Sequence, residues 1–322
     1  MNHSHGLPEA GGLCHTPPAV AQSLSIWVLG DGKPGHENQS LGLAEALARL
    51  RPCAIHRISL AGTSGLFGRL RAASRAAAAL PPPELILAAG HATHPSLWWL
   101  ARKYRACSVV LMRPSLPLRC FDLCLGPAHD FPHGQPLARV VTTLGALNRV
   151  RAATVPRHGG LMLIGGPSTT HGWDETALLA ELTEIVCVPG SGPWQLTDSR
   201  RTPATLLPRL REAIPALEVF SHEETAPEWL PARLAAAAEV WVTEDSVSMV
   251  YEALTSGARV GLLPVPRKQP DARVLRGLAD LIDQGFVTPF ASWQQTRTLP
   301  APPRPLREAD RCAEIVLARI FP

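Results

Sequence analysis

Short apolar runs that end in glycine or polar turns alternate along the chain with stretches whose apolar residues recur every three or four positions. Ile26–Leu29, Ala54–Ile58, Leu85–Ala89, Ser108–Met112 and Val140–Thr142 are runs of the first kind and predict strands. Leu43, Leu47 and Leu50 predict one helix face after the first strand. The pattern restarts at Leu161–Ile164, passes a helical stretch around 176–186, and continues through Gln195–Thr197, Val219–Phe220, Val240–Thr243 and Val260–Leu263. Strands alternating with helices pair in parallel through right-handed crossovers. The expectation is an α/β chain with two Rossmann-like domains, their open sheets facing one another across a cleft. The polar, Arg-containing stretch 148–158 marks the boundary, giving domains at 24–150 and 151–302 after a tail at 1–23. Leu299–Pro305, with four prolines, predicts a stiff strap before a last helix at Leu306–Ile320, the 303–322 segment that straps back.

The length of 322 residues agrees with two domains. A hydrophobic share of 46% against 18% charged excludes a disordered chain. No apolar run approaches the roughly 20 residues of a membrane-spanning helix. The 32 prolines predict many short elements and rigid turns. The net charge of +4 is too small to argue for a nucleic-acid partner. Seven scattered cysteines, with a single CxxxC and no second pair, read as buried reduced thiols rather than a zinc site. The Gly-, Pro- and His-rich start lacks a basic segment followed by a long apolar one, so a floppy tail and a cytoplasmic protein are expected.

Ligands of open α/β sheets bind beyond the C-terminal strand ends, which directs attention to the loops there. Gly30-x-Gly32-x-x-Gly35 matches the dinucleotide fingerprint literally, yet the acidic ribose partner expected about 20 residues on is replaced by Cys53-Ala54-Ile55-His56-Arg57. Pro34 also stands where a pyrophosphate would approach. A nicotinamide-dependent epimerase is therefore disfavoured. The loop's Asp31, His36 and Asn38 read either as polar caps of a tight turn or as chemistry, with His36 a general base. Gly90-His91-Ala92-Thr93-His94 follows another strand; it reads as a substrate wall or as plain capping by Thr93, with metal binding by HxxH less supported. Arg113 follows the next strand and either meets an anion or forms an ion pair.

In the second half, Gly165-Gly166-Pro167-Ser168 leaves the backbone open to a phosphate. Ser199, Arg200 and Arg201 offer a hydroxyl and two guanidiniums, or simply a solvated pair. Thr243-Glu244-Asp245-Ser246-Val247-Ser248 leads into a helix whose N-terminus would favour a diphosphate, with Glu252 in reach of a ribose; the alternative is an ordinary N-cap by Asp245 or Ser246. Leu66, Phe67 and Leu70 beside Arg69, Arg71 and Arg75 form a basic amphipathic segment, suited either to an anionic membrane surface or to packing on the first sheet.

The segments GDGKPGHENQSLGLAEAL, VLMRPSLP, VTTLGALNRV, LIGGPS, TDSRRTP and VTEDSVSMVYEALTSGARVGLLP resemble the Elm-type mitochondrial-fission family over roughly residues 25–320. That family comprises a plant outer-mitochondrial protein and bacterial homologues described as glycosyltransferases. More distantly, the layout is similar to GT-B glycosyltransferases, namely the peptidoglycan GlcNAc transferase and lipid-A-disaccharide synthase. The resemblance implies a GT-B-like fold and a metal-independent transfer of sugar from a nucleotide-diphosphate donor to an envelope or lipid-linked acceptor. The catalytic residues would be His36 and Asp31. Gly165, Gly166, Ser168, Ser199, Arg200, Arg201, Thr243, Glu244, Asp245, Ser246, Ser248 and Glu252 would bind the donor, and Gly32, Gly35, Asn38, His91, Thr93 and Arg113 the acceptor. No metal or cofactor is expected, the nucleotide-sugar being a substrate. A peripheral position on the inner membrane follows from the acceptor. The alternative is a non-catalytic adaptor on the same scaffold, as the plant relative recruits a dynamin-related GTPase. One departure stands out: Thr-Glu-Asp-Ser replaces a glycine-containing donor loop of the relatives, so an anion approaches less freely there.

Overall fold

A computed structural model describes residues 23–322 apart from 132–137, 153–155, 191, 227 and 270–272. The expected N-terminal tail, with Cys14, falls outside these except for Ser23. The front lobe alternates β1 (Leu24–Gly30), α1 (Pro34–Leu50), β2 (Cys53–Ser59), α2 (Gly65–Ala77), β3 (Leu85–Ala89), α3 (His94–Tyr104) and β4 (Cys107–Leu111), then β5 (Leu123–Pro127) and β6 (Val140–Thr143). The rear lobe runs β7 (Gly160–Leu163), α4 (Glu175–Val186), β8 (Trp194–Thr197), α5 (Leu206–Ala213), β9 (Leu217–Phe220), α6 (Trp229–Ala236) and β10 (Glu239–Thr243). It continues through α7 (Val247–Ser256), β11 (Arg259–Leu263), α8 (Arg273–Asp283), β12 (Val287–Pro289) and α9 (Phe290–Thr296), before α10 (Glu308–Ile320).

Each lobe holds one six-stranded sheet, ordered β2-β1-β3-β4-β5-β6 in front and β12-β11-β10-β7-β8-β9 behind. Every strand pair is parallel. Helices cover both faces, so central strands such as β3 and β7 are buried at every position and read as unbroken apolar runs. The strands β5 and β12 went unpredicted; Leu-Cys-Leu-Gly-Pro and Val-Thr-Pro are too short and too turn-like to stand out. In α1, Leu43 and Leu47 are buried as the spacing predicts, whereas Leu50 at its end is exposed. The last helix begins two residues later than Leu306, and its Ala309, Cys312, Ala313 and Val316 enter the front-lobe core beside α1. The described cysteines are all free thiols; Cys124 and Cys312 are buried, but Cys187 is exposed, against the expectation that all would be buried.

Candidate active site

Both sheets change winding direction once. In front, the chain passes from β1 out to β2 and returns to β3 on the other side of β1. Behind, it runs β7-β8-β9 outward and returns to β10 on the other side of β7. The loops flanking such a switch point diverge and leave a crevice beyond the strand ends. The front crevice lies between the loops after β1 and β3, the rear one between the loops after β7 and β10. Most of the residues singled out from sequence stand in these loops.

At the front crevice, Asp31 Oδ2 lies 2.9 Å from His36 Nδ1, and Asp31 Oδ1 accepts the Lys33 N–H at 3.2 Å. The Asp31 side chain is 5% exposed and the His36 ring 23%. A carboxylate so placed holds a proton on Nδ1 and leaves Nε2 as the basic nitrogen of the neutral ring. Gly90, at φ +90°, passes so close beneath that a Cβ there would stand 2.2 Å from His36 Nδ1. Pro34 occupies the first turn of α1, where its missing N–H costs nothing. Gly32 is at φ +82° and Gly35 is open to solvent.

Next to this pair, His94 Nδ1 accepts the Ser115 N–H at 3.1 Å, with the Ser115 hydroxyl at 2.9 Å. Burial pushes the His94 pKa down to about 4, helped by the charges of His91 and His36, so the ring is neutral at pH 7. Its Nε2 is buried without a partner. Gly90, His91, His94, Met112, Arg113 and Asp130 line a pocket of about 260 Å³ at the ends of β3 and β4. Arg113 Nη1 donates to the Asp130 carbonyl at 3.3 Å. Thr93 supplies no wall: it is fully buried, and its hydroxyl donates to the Gly90 and Ala89 carbonyls at 2.7 and 3.2 Å. It caps the turn.

The rear crevice is knit together by side chains. The Thr243 hydroxyl accepts the Gly165 N–H at 2.7 Å, and Thr202 Oγ1 donates to the Gly165 carbonyl. Asp245 Oδ2 accepts the Gly166 N–H at 3.0 Å and Arg201 Nη2 at 2.7 Å. The turn expected to be bare is thus covered by Asp245 and Arg201. Glu244 is held by both Nε and Nη2 of Arg267, so it faces a guanidinium of its own chain. Ser199 Oγ lies 3.1 Å from Thr202 Oγ1, and Ser168 Oγ 3.1 Å from Thr170 Oγ1. Arg200 is exposed, as is Ser248 in the first turn of α7. Ser246 is the N-cap of that helix and makes no side-chain capping bond. His171 and Arg267, which the sequence pattern did not single out, complete this cluster. Glycine-rich turns and helix starts announce themselves in a sequence, whereas a partner such as Arg267, brought in from the loop after β11, does not.

Between the lobes, Glu252 on α7 meets Asn38 on α1. Burial pushes the Glu252 pKa up to about 7, against the opposing hydrogen bond of the Asn38 amide. Together with Glu45, Arg149, Glu228 and Leu234 they line a pocket of about 400 Å³. Among the described residues no group of three or more His, Cys, Asp or Glu side chains is arranged to hold a metal ion. No helix among them is long and apolar enough to cross a membrane.

Two parallel Rossmann-like sheets facing across a cleft, with a last helix returned to the first lobe, define the GT-B glycosyltransferase fold. MurG of Acinetobacter baumannii superposes with a TM-score of 0.51 at 12% identity, over 92% of this chain and 99% of that one. The glycosyltransferase of kitacinnamycin gives 0.56 at 15% identity, over 93% and 100%. UDP-GlcNAc 2-epimerase of Neisseria meningitidis, bound to UDP-GlcNAc, gives 0.53 at 9% identity, over 93% and 100%. The family described as mitochondrial fission ELM1 matches residues 34–320, and the chain belongs to it. No curated protein sequence matches the chain.

Proposed function

We propose that the protein is a metal-independent glycosyltransferase moving a sugar from a nucleotide-diphosphate donor to an envelope or lipid-linked acceptor. The observation that carries this reading is the Asp31–His36 pair at the front switch point. In the transfer, the bond between the anomeric carbon and the donor's phosphate oxygen breaks, and the diphosphate leaves with the electron pair. The acceptor hydroxyl oxygen bonds to that carbon, and its proton passes to His36 Nε2, the resulting imidazolium being stabilised by Asp31. The sequence has no Asp-x-Asp triplet for a divalent ion, so the N-terminus of α7 and the guanidiniums of Arg200 and Arg201 oppose the growing charge. Glu252 holds the ribose. Gly32, Gly35, Asn38, His91 and Arg113 form the acceptor side. A lipid-linked acceptor places the protein peripherally at the cytoplasmic face of a membrane.

The covered Gly165–Gly166 turn favours a second reading, a non-catalytic adaptor of the mitochondrial-fission type that keeps the scaffold. One screen separates the two: release of UDP or GDP from nucleotide-sugars, with and without lipid extract, by the wild type and by His36→Ala. Transfer by the wild type, with kcat lower by roughly 10²–10⁴-fold in His36→Ala, supports the enzyme. No turnover under any condition leaves the adaptor.

A further inference from the structure

The rear crevice contains what a phosphate oxygen would seek, and one carboxylate oxygen already has it. Asp245 Oδ2 accepts the backbone N–H of Gly166 at 3.0 Å and the Arg201 guanidinium at 2.7 Å. Arg201 is aligned for this by a second bond, Nη1 to the Gly166 carbonyl at 2.6 Å. The carboxylate lies directly on the bare backbone, since a Cβ on Gly165 would stand 2.2 Å from Oδ2. Asp245 also precedes the N-cap of α7, whose own side chain makes no capping bond, so the carboxylate sits at the positive end of that helix. A backbone N–H, a guanidinium and a helix end converge on a single anion.

The other carboxylate oxygen shows that this is a poor resting place for an aspartate. Its side chain is 0% exposed, and Oδ1 is buried with no hydrogen-bond partner. The buried ring of His171 faces the same charge: Asp245 is the strongest of the charges acting on it, and its Nε2 is likewise without a partner. A carboxylate that served only to cap a helix would satisfy both oxygens or leave the second in water, because a buried, partnerless oxygen is unfavourable. Both atoms are left without a partner by the present arrangement of the crevice.

We infer that Asp245 is an internal occupant of the donor's phosphate site, and that a nucleoside diphosphate binds by displacing its carboxylate from Gly166 and Arg201. The inference rests on the donor reading of the rear lobe. A phosphate that takes the Gly166 N–H and the Arg201 Nη2 donor competes with the carboxylate for both, so binding at that point releases the Asp245–Arg201 pair. Donor binding is thereby tied to a rearrangement of the loop that opens α7, and affinity is held down in the resting state.

The test is calorimetric titration of UDP, GDP and inorganic pyrophosphate into the full chain at low ionic strength. It uses the wild type, Asp245→Asn, Asp245→Ala and the double variant Asp245→Ala with Arg201→Ala. Asparagine keeps the volume of the side chain and a bond from Gly166, so this loop holds even where alanine loosens it. Both single variants are expected to bind pyrophosphate and a nucleoside diphosphate roughly tenfold or more tighter than the wild type. The double variant is expected to lose that gain. Wild-type binding of UDP or GDP that the single variants leave unchanged or weaken overturns the inference and leaves the donor reading standing. Absence of binding by any probe to any form overturns both.

Discussion

Glu252 and Glu181 are carboxyls that keep their protons close to neutrality. Burial raises both to about 7; at Glu181 the charges of Asp174, Glu184 and Glu244 add to it, and at Glu252 the Asn38 hydrogen bond works against it. An ordinary glutamate in an unfolded chain releases its proton near pH ~4.3. Between that value and 7 the folded state therefore holds protons that the unfolded state has lost, and stability falls as pH rises through the window. His94 acts in the opposite sense, because its lowered pKa makes the fold gain stability as pH rises from about 4 towards the ordinary imidazole range. The two slopes overlap, so the whole-protein curve is uninformative and the difference between variants carries the result. The melting temperature of Glu252→Gln relative to the wild type should rise as pH is raised from about 5 to about 8. An identical pH dependence in the two would show that Glu252 is ionised throughout. The sequence pointed to Glu252 by its place one and a half turns into a helix, but its partner Asn38 comes from the other lobe. Asn148, which donates to the Thr255 hydroxyl at 3.0 Å, was invisible for the same reason.

Among the elements, α2 leaves its large apolar side chains outside the core. A helix packed on a sheet buries its large apolar residues, yet here only Ala73 and Ala77 are buried, while Phe67 is 84% and Leu66 49% exposed. Trp99 on the adjoining α3 is exposed as well. Leu66, Phe67 and Leu70 lie among Arg69, Arg71 and Arg75, an apolar patch rimmed by positive charge, which suits an anionic bilayer surface. If the acceptor is lipid-linked, this is the face that reaches it. The chain should co-float with liposomes containing anionic lipid, less so as salt is raised, and Phe67→Ser should reduce flotation several-fold; equal flotation on neutral lipid, or none, would detach α2 from membranes. The central strands were legible because parallel strands buried on both faces read as continuous apolar runs, whereas α5, α6 and α8 were not singled out. Strand order was not legible, since nothing local in β3 or β10 says which side of β1 or β7 it joins. The two crevices, which depend on that order, became visible only in the fold.

At the scale of the molecule, the chain crosses between the lobes twice, and both crossings are anchored on both sides. In the first, Leu147 enters the front core while Leu144, Ala146 and Val150 pack against the rear one. In the second, Leu306 is buried in the rear core, and α10 then delivers Ala309, Cys312, Ala313 and Val316 to the front. The crossings are also joined to each other: Glu308 accepts the Leu144 N–H at 2.9 Å, and Arg311, paired with Glu308, donates to the Thr142 carbonyl at 2.8 Å. The last helix is thus part of the front lobe's core rather than an appendage, although it is last in the chain. Val316→Asp would place an unpaired charge in that core, at a cost of several kcal/mol. The rear core contains no residue of α10, so the damage should stay in front. Hydrogen exchange should then speed up in β1, β3 and α1 while β7 and β10 keep their protection. Equal loss of protection in both sheets would mean that the lobes unfold as one cooperative unit.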